Sequence, residues 1–103
     1  MQISILYCEG CPNWYSALED VKEVIAEYYV DADIEAVQVT SQDQAEELEF
    51  LGSPAVRVDG MDVEPDRIES GFSLDYRTYW LEDDPLSRPP KEWIAAAIEV
   101  ALE

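Results

Sequence analysis

Tyr7-Cys8-Glu9-Gly10-Cys11-Pro12-Asn13-Trp14 decides how this chain of 103 residues is read, because it holds both of its cysteines. An apolar strand pattern (Ile3, Ile5, Leu6, Tyr7) runs into it, and a helical pattern (Trp14, Ala17, Leu18, Val21, Val24, Ile25, Tyr28) leaves it. Two sulfurs at a strand-to-helix junction can cycle between dithiol and disulfide, or grip a soft metal. A disulfide needs Cα atoms about 4.4–6.8 Å apart, and the first turn of a helix brings residues i and i+3 near that range. Unpaired N–H groups and the dipole at a helix start favour an anion, and the thiolate is the reactive form of cysteine. In such a turn the first cysteine faces outward and the second inward, so Cys8 is the expected nucleophile and Cys11 the resolving thiol. Pro12 and Asn13 suit the opening of the helix. Two cysteines three apart also occur as inert core thiols; the strand before and the helix after give this pair more weight.

The length predicts one domain over 1–103, large enough for a core without disulfide staples. A hydrophobic content of 48% with 11% aromatic residues excludes a disordered chain. Met1 leads at once into a strand pattern, with no basic start and no apolar run of targeting length, and no stretch approaches the ~20 apolar residues of a membrane span. The expected setting is cytoplasmic, where a cysteine pair serves catalysis or metal more often than structure. Against 24 acidic residues stand 6 basic ones, for a net charge of −18. Such a surface repels nucleic acid and anionic membrane, so neither is an expected partner. Two explanations remain open: a halophilic source whose internal salt screens the repulsion, or a strongly basic partner.

Along the chain the patterns predict a strand at 2–7, an amphipathic helix at 12–29 broken by Asp31 and Asp33, and a second strand at 34–40 parallel to the first. Ser41 with Gln44 forms a capping box for a helix at 42–51, with Gly52 at its stop. Residues 55–59 read as a third strand, and Asp59-Gly60 as a hairpin turn into Met61-Asp62-Val63. The last helix follows Pro89-Pro90 and runs to about Leu102, with Trp93, Ile94, Ala97, Ile98 and Ala101 inward. Between them lies an extra segment at about 64–90. There Phe72, Leu74, Tyr76, Thr78 and Trp80 alternate with polar positions, which predicts a strand at about 73–80, then an acidic turn (Glu82-Asp83-Asp84-Pro85) and a Pro-rich loop.

Three signals together (Cys8-x-x-Cys11 at the first strand-to-helix junction, Ser53-Pro54 before the third strand, the Asp59-Gly60 hairpin) make the chain resemble the thioredoxin fold in its short, glutaredoxin-like form. The resemblance spans 1–63 and 91–102 and implies an α/β architecture: a β-α-β-α-β-β-α mixed sheet flanked by helices. It also implies that Pro54 is a cis-proline facing the cysteines and that Ser53 pairs with substrate backbone. The departures from the family pattern are Glu9-Gly10 between the cysteines, no basic residue after Cys11, and no histidine. Glu9 and the negative field oppose a thiolate at Cys8, which predicts a reducing couple. Arg77 is the cation to watch: its segment either folds back toward the cysteines or pairs with an acid.

The leading expectation is therefore a disulfide reductase of the thioredoxin-like type. Cys8 attacks a disulfide-containing protein or a small-thiol substrate, Cys11 resolves the mixed disulfide, and a thiol or reductase restores the dithiol, with no cofactor. Trp14 with Ser53 and Pro54 would offer the substrate platform, although Trp14 also fits as core. The alternative is a module that binds or transfers Cu(I) or Hg(II) through the two thiolates, similar to heavy-metal-associated domains. Zinc is disfavoured, with two thiolates and no histidine for four positions. A third reading, a redox-inert adaptor whose charge runs (Glu46-Glu47, Glu82-Asp83-Asp84) recruit a basic partner, competes with ordinary solvated surface. Phosphate loops, a Ser-His-Asp set and metalloprotease motifs do not occur.

Overall fold

A computed structural model describes residues 1–64, 71–72 and 74–103. In chain order the elements are β1 (Gln2–Cys8), α1 (Trp14–Glu27), β2 (Asp33–Val39), α2 (Gln42–Glu47), β3 (Ala55–Val58), β4 (Met61–Asp62), β5 (Tyr79–Leu81), β6 (Asp84–Leu86) and α3 (Lys91–Leu102). β1 is central in a four-stranded sheet of order β2-β1-β3-β4. It runs parallel to β2, with Ile3 opposite Ile34 and Cys8 opposite Val39, and antiparallel to β3, with Ile5 opposite Val56. The helical crossover from β1 to β2 makes that pair parallel, while Asp59-Gly60 closes the β3–β4 hairpin. Both turn residues have positive φ, 49° and 84°, as the mirror-image turn of a two-residue hairpin requires. The chain is thus a mixed α/β domain around one mixed sheet.

Alternation along β1 divides the core in two. Ile3 and Ile5 point to one face, where they meet Ala17, Val21 and Val24 of α1, Val56 and Val58 of β3, and Ile94 and Ile98 of α3. Leu6 points to the other face and joins Val39, Ala45 of α2, Phe50 and Ala55. Burying each of these aliphatic side chains is worth about 1.5–3 kcal/mol, so the β1 pattern fixes both layers. Trp93 and Ala97, expected inward on α3, are half-buried, and Ala101 is exposed, facing with Ala97 a cavity against Val58, Met61 and Val63.

Both crossover helices stop differently from expectation. α1 ends where Tyr29 turns left-handed (φ 53°), its N–H donating to the Ala26 carbonyl and that of Val30 to the Ile25 carbonyl. α2 ends the same way at Glu49 (φ 55°), with the Phe50 N–H on the Ala45 carbonyl at 2.8 Å. These are Schellman stops without glycine, so neither the aspartates nor Gly52 caps a helix. At the start of α2, Ser41 Oγ accepts from the Gln44 N–H, as the capping box requires. The Gln44 side chain reaches one residue further back than the motif predicts, accepting from the Thr40 N–H at 2.8 Å.

The segment after β4 departs most. Instead of one strand over 73–80, Ser53 and Tyr76 form an isolated parallel bridge, and β5 and β6 form a small hairpin with Trp80 opposite Pro85. Residue 73 of the expected strand, and 65–70 of the extra segment, lie outside the described residues. Tyr79, not one of the alternating set, is fully buried, whereas Tyr76 and Trp80 are 61% and 58% exposed.

Candidate thiol site

The site forms where β1 ends. Cys8 is the last residue of that strand, and the chain turns at once so that the Cys11 N–H donates to the Cys8 carbonyl at 3.2 Å. α1 begins only at Trp14, after an Asn13 cap whose side chain makes no capping bond. The cysteines therefore occupy a tight turn before the helix, not its first turn, because the hydrogen bond closing on Cys8 belongs to the turn alone. Pro12 likewise precedes the helix. Both thiols are free, and both are nearly buried, Cys8 at 7% and Cys11 at 6% exposure. Exposure therefore does not separate an outer from an inner thiol.

The loop before β3 packs directly on this turn. Ser53 Oγ accepts from the Cys8 backbone N–H at 3.1 Å, a buried bond joining residues 45 positions apart. Ser53 is 1% exposed, Pro54 is fully buried, and the peptide bond between them is cis. Trp14 is stacked on Tyr7, with ring centroids 4.2 Å apart, and edge-on to Tyr15. Cys8, Cys11, Ser53 and Pro54 are thus gathered into one region, with Trp14 adjoining it through Tyr7.

A cavity of about 380 Å³ opens beside Cys8. Cys8, Glu9, Val39 and Thr40 form one side, and Leu74, Asp75 and Tyr76 the other; Trp14 is not in its wall. Among the described residues the lining carries two carboxylates and no cation. The second wall was missed by motif reading, since nothing local marks residues 74–76 as neighbours of residue 8. The signs in the sequence were the apolar alternation read as a strand at about 73–80 and the open choice for the Arg77 segment between folding back toward the cysteines and pairing with an acid.

Residues 75–77 also engage Ser53 through the backbone. The Ser53 N–H donates to the Asp75 carbonyl at 2.9 Å, and the Arg77 N–H donates to the Ser53 carbonyl at 2.9 Å. Tyr76 Oη donates to the Gly10 carbonyl at 3.0 Å, touching the cysteine turn itself. Arg77 turns the other way: its guanidinium bonds Asp62 at 2.7 and 3.0 Å and Glu64 at 3.0 Å, and stands 4.4 Å over the Tyr79 ring. Burial alone would lower the Arg77 pKa, but the bonds to Asp62 and the neighbouring acids outweigh it and raise it. Arg77 is thus an anchor paired with acids, while its neighbour Tyr76 is what reaches the sulfur turn. Tyr79 Oη donates to the Pro54 carbonyl at 2.5 Å, and burial first of all raises its pKa above the ordinary phenol value.

Among the described residues, no group of three or more His, Cys, Asp or Glu side chains is placed to hold a metal ion, and no helix is long and apolar enough to cross a membrane. Comparison with protein-family models, with curated proteins and with solved structures finds no match.

Proposed function

We propose that this protein is a thiol–disulfide oxidoreductase of thioredoxin-like architecture working through Cys8 and Cys11. One observation carries the reading: two free thiols bracket a single hydrogen-bonded turn at the end of the central strand, beside a cavity that reaches Cys8. The sheet order β2-β1-β3-β4 and the packing of the Ser53-Pro54 loop on that turn support it.

In the proposed reaction the Cys8 thiolate attacks one sulfur of a substrate disulfide. The substrate S–S bond breaks, and the departing sulfur leaves as a thiolate that takes up a proton. Cys11, deprotonated in turn, attacks the Cys8 sulfur of the mixed disulfide. The second substrate thiol departs, and two electrons have passed from the dithiol to the substrate. A thiol or a reductase then returns the Cys8–Cys11 disulfide to the dithiol. Cys8 takes the attacking role because it lines the cavity, whereas Cys11 does not.

The test is trapping. Cys11→Ser should accumulate stable mixed disulfides in extract, while Cys8→Ser should accumulate few. Equal trapping by both variants, or none by either, would remove the assigned roles. Stoichiometric Cu(I) held by the wild-type thiols, with no trapping, would favour the two-thiolate metal module instead.

A further inference from the structure

The wall formed by Leu74, Asp75 and Tyr76 is more than scenery for the cavity. Between them, residues 75 and 77 take both backbone hydrogen-bonding groups of Ser53, the residue whose side chain holds the Cys8 N–H. This is the short parallel pairing an extended segment makes with an exposed edge, supplied here by the chain itself. There is no spare room in the contact. A Cβ on Gly52 (φ 129°) would come 2.8 Å from the Arg77 Cβ and 3.3 Å from the Asp75 carbonyl oxygen, so only glycine lets the two backbones approach so closely. This pairing holds Leu74, Asp75 and Tyr76 in the wall of the cavity that Cys8, itself 7% exposed, also lines.

The two ends of this stretch are held very differently. Arg77 is fixed by a bidentate ion pair with Asp62 and a further one with Glu64, with its side chain 8% exposed. Leu74 packs partly against the Leu6, Phe50 and Ala55 cluster. Between them Asp75 and Tyr76 are exposed, and the Tyr76 side chain meets the sulfur turn through one solvent-accessible hydrogen bond to Gly10. That exposed side-chain bond is worth far less than the buried ion-pair network at Arg77, and it is the outermost of the contacts of this stretch, which include the two backbone bonds with Ser53.

We propose that Leu74–Tyr76 is a strap closed over Cys8, hinged at Arg77 and latched by Tyr76 on the Gly10 carbonyl, so that reagents and partners reach the Cys8 sulfur only when the strap lifts. The inference concerns access to the sulfur and holds whether or not the thiols exchange electrons. The latch belongs to Tyr76, a positioning residue, and the hinge to the Arg77–Asp62 pair. Lifting breaks the Tyr76–Gly10 bond first, the two Ser53 backbone bonds being among the contacts that give way after it, while the Arg77 side chain stays in place.

Iodoacetamide alkylation of the reduced full-length protein, followed separately at Cys8 and Cys11 by peptide mass spectrometry, tests it. Tyr76→Phe removes the latch bond and nothing else, and should speed Cys8 alkylation about two- to tenfold with a smaller change at Cys11. Gly52→Ala drives its new methyl group against the Arg77 Cβ at the hinge and the Asp75 carbonyl of the strap and should shift Cys8 in the same direction; Tyr29→Phe, altered at a side chain 95% exposed, should change neither rate. Should Gly52→Ala fail to fold, Tyr76→Phe decides the matter alone. An unchanged Cys8 rate in Tyr76→Phe overturns the strap. So does equal acceleration of both cysteines with a matching fall in melting temperature, which would mark general unfolding.

Discussion

Tyr79 has no exposed surface, yet its one polar atom is satisfied by the Pro54 carbonyl at 2.5 Å. The phenol therefore ties the extra segment to the loop beside the thiols, and it must stay neutral to do so. Burial raises its pKa in the folded protein, while in the unfolded chain it titrates near 10. The raised folded value means the native state binds this proton more tightly than the unfolded one. The contribution is then fully present below pH 10 and is lost as pH rises above it. Tyr79→Phe should cost about 0.5–1.5 kcal/mol at pH 7 through the lost hydrogen bond. Above pH 10 the gap between wild type and variant should close by up to about 1.4 kcal/mol per pH unit, because phenylalanine has no proton to lose. Urea midpoints of both proteins at pH 7, 10 and 11 measure this. A gap that stays constant through pH 11 would mean that Tyr79 does not hold its proton against solvent.

At the scale of elements, α1 and α2 share one device, a left-handed non-glycine residue that completes a Schellman stop. A side chain in that region costs about 1–2 kcal/mol relative to right-handed backbone, and glycine avoids it. At Tyr29 the ring is 95% exposed, so no packing is lost with it. Tyr29→Gly should raise stability by about 0.5–1 kcal/mol, read as a higher thermal midpoint. No gain, or a loss, would show that the exposed ring contributes something the stop does not reveal. Elements whose periodicity reflects a single buried face were legible from sequence: Ile3 and Ile5 of β1, Ala17, Val21 and Val24 of α1, and Ile94 and Ile98 of α3 all lie where the spacing places them. The approach of a strand to the cysteines was equally legible, since its apolar pattern runs directly into them, whereas the place of Ser53 beside Cys8 was implied only by the resemblance to the thioredoxin fold. Residues 74–80 were not. Their apolar-polar alternation does not follow burial, because Tyr76 and Trp80 face outward while Tyr79 is enclosed by partners from distant parts of the chain. The contact of Tyr76 with Gly10 spans 66 positions and has no local signature.

The whole molecule carries a net charge of −18 with six basic residues to offset it. Several of those cations are already committed: Arg77 to Asp62 and Glu64, Arg88 to the largely buried Asp20 at 2.7 Å, and Lys91 to Glu23. They bind segments together, α1 to the loop before α3 and to α3 itself, and leave the acidic surface with little internal compensation. Folding brings these charges closer than they lie in the open chain, so repulsion opposes the compact state. At molar ionic strength the screening length falls to about 3 Å, which removes most of the repulsion between exposed acids. Partly buried pairs such as Arg77–Asp62 are screened far less. The balance therefore tips toward stabilisation by salt, the behaviour expected of a protein suited to a high-salt interior. Raising KCl from about 0.05 M to 2 M should lift the melting temperature by at least about 5 °C, roughly 1 kcal/mol for a domain of this size. Salting-out also strengthens apolar burial, so a charge-reduced variant separates the two effects. Glu46→Gln together with Glu47→Gln, both exposed on α2, should melt higher than wild type in low salt and converge with it at 2 M. A wild-type midpoint indifferent to KCl would shift the explanation of the charge to a basic partner. In that case the complex, not the salt, would relieve the repulsion.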